Sequence, residues 1–433
     1  MKILNNIVLG LLISTATFAQ NPYATRSFDV AGIKVIFKPT QKKIVNVRVY
    51  YRGGTANYAA SKAGIEHFAL AGAAECGTKN FSANTLKDTC DKYDISLSGS
   101  GNFDFGFVQL NCISKYFDKG WYLFADAVTD PAYQSHEVQL LRGKIMLANK
   151  TLASNPIILA SKQLMLNTLK GTQYGFDPCG TDETLKDINQ AELKNYYYNT
   201  LLNKERMFIV VVGNITKEEL VQKIMFSFAN LPSRPYNKPD MDEPDFNDNK
   251  LIKTQQALPV NYIAAMGNSP LVKSADFVPF KLGVAAFGAT LYNDLVVNGH
   301  LADNTGTNCM TTLVPYVNIV LMSNKPQAAV SGAINTLRNF QERGVNEDWL
   351  TRIKNNMVIN NFISQQNVAA VTDRLGEAEV FASWQYADDF PQLVFMTTVQ
   401  QVNAVMKKYI TGLTWSYLGN LNAIDGYNIP PLK

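Results

Sequence analysis

Imidazoles, carboxylates and thiols are the side chains that could hold a metal or attack a carbonyl, and the best local cluster of them lies in the run Ala63–Thr78. There His67 stands with Glu66, Glu75 and Cys76. On a helix, positions three or four apart share a face. Glu66 therefore falls off the face of His67, and Glu75 and Cys76 lie two turns on, so no ligand set of sensible spacing emerges. His136 and Glu137 form a second polar pair, read as a helix start where Glu complements the helix dipole. The five cysteines, Cys76, Cys90, Cys112, Cys179 and Cys309, show no CxxC spacing and are too sparse for a disulfide framework. They read as small buried hydrophobes with at most an incidental disulfide, their pairing left open.

The elements that would position these groups follow from patterning. Ile33 to Phe37 and Val45 to Tyr51 are β-branched and aromatic runs bounded by Gly and Pro, hence strands. A helix is expected around Ala63 to Cys76, another near Ser82 to Lys92, a strand pair across Ile95 to Ile113, and a helix near Tyr116 to Ala127. Ser135 to Leu169 has helical spacing, broken or bent near Pro156. Asn189 to Leu202, Met207 to Val212 and Lys217 to Leu231 read as helix, strand, helix. Within the strand pair, Ser96–Phe103 is rich in Ser and Gly. Gly99 and Gly101 would weaken a strand yet permit close approach of another backbone, while an ordinary hairpin with a Gly-rich bend is the alternative.

Residues 1–19 read as a signal peptide: Lys2 is the basic start, Ile7–Ile13 the apolar core and Thr17-Phe18-Ala19 the cleavage site. The expectation is an exported chain, periplasmic or secreted, and no later segment has the roughly 18 apolar residues of a membrane span. With 433 residues the chain exceeds the size of one core, so two domains are expected. The net charge of +4 without a basic run argues against nucleic acid or a membrane surface as partner. Residues 232–250, with four prolines among polar residues, are the expected linker between 20–231 and 251–433. The two parts share a pattern. Glu137, Leu140, Arg142 and Lys144 recur as Glu347, Leu350, Arg352 and Lys354, and the run ending Gly213-Asn214 recurs in the one ending Gly419-Asn420. The fold class read from this is α+β, two homologous halves, each a mostly antiparallel sheet packed with helices.

The stretch Ala63-Gly64-Ile65-Glu66-His67-Phe68-Ala69-Leu70-Ala71 resembles the signature helix of the pitrilysin/insulinase zinc peptidases, near the mitochondrial-processing-peptidase branch. Tyr51–Thr55, Gly77-Thr78, Gly180–Leu185 and Gly213-Asn214 stand in family register, so the resemblance spans the chain after the signal peptide, more weakly past the linker. Active members carry His-x-x-Glu-His, two imidazoles gripping zinc and a Glu that activates water. Here His67 is kept, Leu70 stands in place of the base and Ala71 in place of the second imidazole. The third ligand, a Glu about 75 residues on, has no counterpart, because no Glu occurs between Glu137 and Glu183. The resemblance therefore implies a non-catalytic member from which the family zinc is absent, so no cofactor is expected. In two-chain members the non-zinc subunit supplies an Arg and a Tyr to the substrate. The corresponding helper positions here hold Gly299, His300 and Asp303, none of them a guanidinium or phenol.

The function implied is a non-catalytic subunit that closes a peptide chamber with a zinc-bearing homologous partner. Two alternatives stand beside it: a stand-alone peptide-binding or assembly module, and an active peptidase with an aberrant metal site. If a peptide substrate is held, the expected contact is the backbone of Ser98, Gly99, Ser100 and Gly101, whose strand corresponds to an open edge beside the zinc helix in the family.

Overall fold

The computed structural model describes residues 21–237, 246 and 250–432. The signal-peptide reading and most of 238–249 fall outside them. Strands are β1 Arg26–Val30, β2 Ile33–Pro39, β3 Ile44–Arg52, β4 Ser96–Gly101, β5 Phe105–Ile113, β6 Met207–Gly213, β7 Leu251–Gln255, β8 Asn261–Asn268, β9 Asn304–Met310, β10 Tyr316–Ser323 and β11 Thr414–Gly419. The first part carries helices α1 Ile65–Glu75, α2 Ala83–Tyr93, α3 Phe117–Thr129, α4 Ser135–Ala153, α5 Pro156–Thr168, α6 Asp182–Asp187, α7 Gln190–Tyr196 and α8 Lys217–Phe228. The second carries α9 Phe277–Tyr292, α10 Pro326–Arg343, α11 Glu347–Ser364, α12 Val368–Phe381, α13 Gln385–Met396 and α14 Val399–Tyr409. Local chemistry sets many of these ends. Asn155 caps α5 and Pro156 occupies its first turn, so the proline read as a break starts a new helix.

The strands form a six-stranded sheet in the order β1-β2-β6-β3-β5-β4 and a five-stranded one in the order β7-β11-β8-β10-β9. Among the described strands only β2 with β6 and β7 with β11 run parallel. The expected α+β class with antiparallel-dominated sheets holds. The second sheet repeats the first without β1, and the register repeats with it. Ile209 faces Val49, Val49 faces Val108 and Val108 faces Gly99. In the second sheet the same row reads Trp415, Ala265, Ile319, Thr307. The echo of Gly213 in Gly419 belongs to β6 and β11, and the echo of Glu137 in Glu347 to α4 and α11, which occupy equivalent places in chain order.

The layering differs from two self-contained halves. One face of the first sheet, through Val35, Val47, Val49, Val108 and Ile209, packs on helices of its own half. Its other face, through Ile36, Tyr50, Phe208 and Val210, joins the core of the second half, where α12 lies on β3 and β6. In return α5 leaves the first half and packs on β8 and β11, its Ala160, Leu164 and Met165 against Ala264, Met266 and Leu418. Each sheet is thus sandwiched, with one helix exchanged in each direction. Gly376 of α12 admits the Tyr50 ring, since a Cβ there would come 2.1 Å from it. Arg48 pairs with Asp373 at 2.5 Å, and Glu379 accepts from both Lys34 and Arg52. The segment 232–250 is also no plain polar tether among its described residues. Arg234 donates to the carbonyls of Tyr198 and Leu202, and Phe246 is buried against Tyr316. All five cysteines are unpaired.

Candidate functional site

The signature helix α1 begins after Gly64, whose φ of 93° suits a residue without Cβ. It lies directly on β4. A Cβ on Gly99 would fall 1.9 Å from the Leu70 carbonyl oxygen, and one on Gly101 would fall 2.8 Å from the His67 nitrogen. The two glycines therefore serve a close approach of backbone to backbone, as the sequence suggested, and the approaching backbone is α1. The Gly-rich bend offered as the alternative is not what they form, since both lie within the strand.

His67 is half-buried, its Nδ1 3.2 Å from Ser100 Oγ and accepting from the Gly101 amide at 3.3 Å. With Nδ1 an acceptor, the ring is neutral with its proton on Nε2. Burial lowers its pKa from the usual histidine range. Leu70 is fully buried, and Gly106 of β5 leaves room for its Cδ1, which would lie 2.2 Å from a Cβ there. Ala71 is buried as well. The neighbouring Glu66 points inward to a polar cluster, its Oε2 accepting from Tyr196 at 2.6 Å and Asn57 at 3.0 Å, with Arg206 at 3.5 Å, while its Oε1 is buried without a partner among the described residues. Burial raises its pKa. Through Oε2 it anchors α1 to α7 and to the turn before β6.

The stretch aligned with the third ligand lies on α4. Lys144 pairs with Glu75 at 2.9 Å, and Asn149 donates to the carbonyls of Cys179 and Gly180. These residues do not fit a zinc ion: one imidazole faces a leucine in the core, an alanine and an amide already engaged, whereas zinc needs about three protein ligands. No group of three or more His, Cys, Asp or Glu side chains among the described residues could hold a metal.

The remaining sequence-predicted positions lie in two further places. Ser98, Gly99, Ser100 and Gly101 belong to β4, which among the described residues pairs only with β5 and so forms one edge of the first sheet. Ser98 is exposed. Gly299, His300 and Asp303 are exposed on the turn from α9 to β9, with His300 at φ 48°. That turn is closed by its own backbone, Gly299 to Asp294 and Leu301 to Leu295, and among the described residues no hydrogen bond or ion pair links it to His67. Two hollows in the second half escaped sequence reasoning: a cleft of about 630 Å³ beside α13, and a smaller cavity of about 140 Å³ at α12. Neither rests on a motif. Their linings come from helices far apart in the chain.

Comparison with known proteins places these features in context. The family model described as Peptidase M16 inactive domain matches residues 187–357. Cytochrome b-c1 complex subunit 1 of Mus musculus is 21% identical over 287 residues, which covers 65% of this chain and 59% of the mouse protein. The chain thus spans under two thirds of that relative. The zinc protease PqqE of Helicobacter pylori is 20% identical over 395 residues, covering 87% of this chain and 88% of that one. Among solved structures, a peptidase M16 inactive domain from Pseudomonas fluorescens superposes with a TM-score of 0.82 at 16% identity, covering 92% of this chain and 98% of that one. The periplasmic protease PqqL of Escherichia coli gives 0.77 at 13% identity, over 97% of this chain and 49% of that one. At these identities the structural likeness is one of fold.

Proposed function

We propose that this chain, a homologue of the M16 (pitrilysin/insulinase) peptidases, is a non-catalytic subunit that docks with a zinc-bearing homologue outside the cytoplasm and closes a peptide chamber with it. The observation that carries the reading is Leu70, a fully buried core residue at the position of the water-activating carboxylate. Without that base, and with Ala71 beside it, His67 has neither a proton acceptor nor co-ligands, and hydrolysis by this helix lacks both nucleophile and electrophile. The leader-like first 19 residues support export, and no helix among the described residues is long and apolar enough to cross a membrane. The name of the mouse relative, a subunit of a larger complex, agrees with a role in assembly.

A second reading draws on the β4 edge, whose outer side has no strand partner among the described residues. A chain without a peptidase partner could take an extended peptide there by strand addition. Purification of the tagged chain from its native host separates the two. Co-elution with a His-x-x-Glu-His homologue, with zinc in the partner and peptide cleavage by the pair only, is the expected result. A chain that elutes alone yet binds extended peptides would replace the subunit reading with the module.

A further inference from the structure

The smaller cavity in the second half, about 140 Å³, lies where α9, α11, α12 and α13 converge. Its place in the fold is informative. Gly99 and Thr307 hold the same position in their sheets, and each sits against a helix carbonyl: Gly99 against Leu70, and Thr307 Oγ1 donating to Val284 at 3.2 Å. Three residues before Leu70 stands His67, and three before Val284 stands Lys281. Lys281 lines the cavity, so the hollow is the second half's counterpart of the His67 face of α1.

Its polar lining is unfinished. Arg374 enters it with Nε and Nη1 both buried and without a hydrogen-bond partner among the described residues, and the hydroxyl of Tyr386 is in the same condition. Orphaned buried donors are costly, about 1–3 kcal/mol each and more when charged, so native structures seldom leave three of them at one cavity. The rest of the wall is apolar, with Phe277, Phe381 and Phe390, and Phe390 also lies under the Lys281 ammonium at 5.5 Å. Lys281, Arg374 and the one lining carboxylate, Glu377, leave an excess of one positive charge.

We propose that this cavity binds a small monocarboxylate with an apolar body, its carboxylate held by the Arg374 guanidinium and the Tyr386 hydroxyl and its body among the three phenylalanines. Buried guanidinium and phenol donors suit a carboxylate, and the excess of positive charge in the lining favours an anion. The volume suits a molecule the size of one aromatic ring, since a cavity of roughly 150 Å³ accommodates benzene. The site is independent of the subunit reading, because none of its residues belongs to α1 or β4.

The test is calorimetric titration of the intact mature chain with benzoate, benzyl alcohol and inorganic phosphate in parallel. Benzoate should bind at one site per chain, while benzyl alcohol, which lacks the carboxylate, and phosphate, which lacks the apolar body, should bind at least tenfold more weakly. Tyr386→Phe, which keeps the ring, should weaken benzoate roughly tenfold, the loss of one buried hydrogen bond to a charged group. Arg374→Met should abolish binding while leaving the apo melting temperature equal or higher, because it removes an unpaired buried charge. No heat with benzoate at millimolar concentration would overturn the proposal and assign the cavity to water. Equal binding of phosphate, or unchanged binding in both variants, would overturn it too.

Discussion

At the scale of single residues, the site is decided by what Leu70 and Ala71 touch. Restoring the motif with Leu70→Glu and Ala71→His would place an unpaired carboxylate in the core against Gly106, and the third ligand would still be missing. The double variant should lose several kcal/mol of stability, in line with other buried unpaired charges, and should retain no stoichiometric zinc. Urea unfolding and elemental analysis check the two halves of that statement. His67 offers a pH test. Burial lowers its pKa in the folded chain from the usual histidine value near 6.5. Below that value the unfolded chain takes up a proton that the folded chain resists, so the contribution of His67 is fully present at neutral pH and is lost as pH falls toward the depressed folded value. The slope of the urea midpoint against pH in that window should flatten in His67→Asn.

At the scale of elements, the exchanged helices carry the argument. The face of α12 that meets the first sheet is held by shape as much as by charge, since Tyr50 fills the space that a Cβ on Gly376 would need. Tyr50 is fully buried and stacked on Phe208 at 4.8 Å, so it has little room to retreat. Gly376→Ala should therefore destabilise the chain by about 1–3 kcal/mol, the usual cost of overpacking, visible as a lower melting temperature. The gain in helix propensity from Ala, about 1 kcal/mol, works in the opposite direction and is smaller than the upper part of that cost. Gly99 is a stricter case, because its neighbour is backbone, the Leu70 carbonyl, which cannot move without shifting α1.

At the scale of the whole molecule, the two sheets are interdependent. Without α12, the face of the first sheet carrying Ile36, Tyr50, Phe208 and Val210 would be open to water, and the second sheet without α5 would expose Ala264, Met266 and Leu418. Each fully buried large apolar side chain is worth about 1.5–3 kcal/mol, so a handful of such losses exceeds the 5–15 kcal/mol net stability of a typical domain. Fragments 20–231 and 251–433 expressed separately should accordingly fail to give cooperative unfolding, and mixing them should restore it. Calorimetry on each fragment and on the mixture measures this directly. Independent two-state melting of either fragment would contradict the exchange.

How much of this was legible beforehand follows from the range of the interactions involved. Most strands and helices of the first half, though not β1 or α6, the interruption at Pro156 and the doubled pattern of α4 with α11 and β6 with β11 are written in local periodicity and capping, which depend on neighbours in the chain. The missing base was readable as well, because Leu70 and Ala71 cannot accept a proton whatever surrounds them. Periodicity tells which face of α5 or α12 is buried but is silent on the surface that buries it, so the exchange of the two helices between sheets was decided by tertiary packing. The same holds for Gly99, whose need to be glycine comes from a helix carbonyl some thirty residues earlier in the chain. It holds for Arg374 and Tyr386, ordinary in sequence and brought to one cavity only because α12 and α13 fold back upon α9.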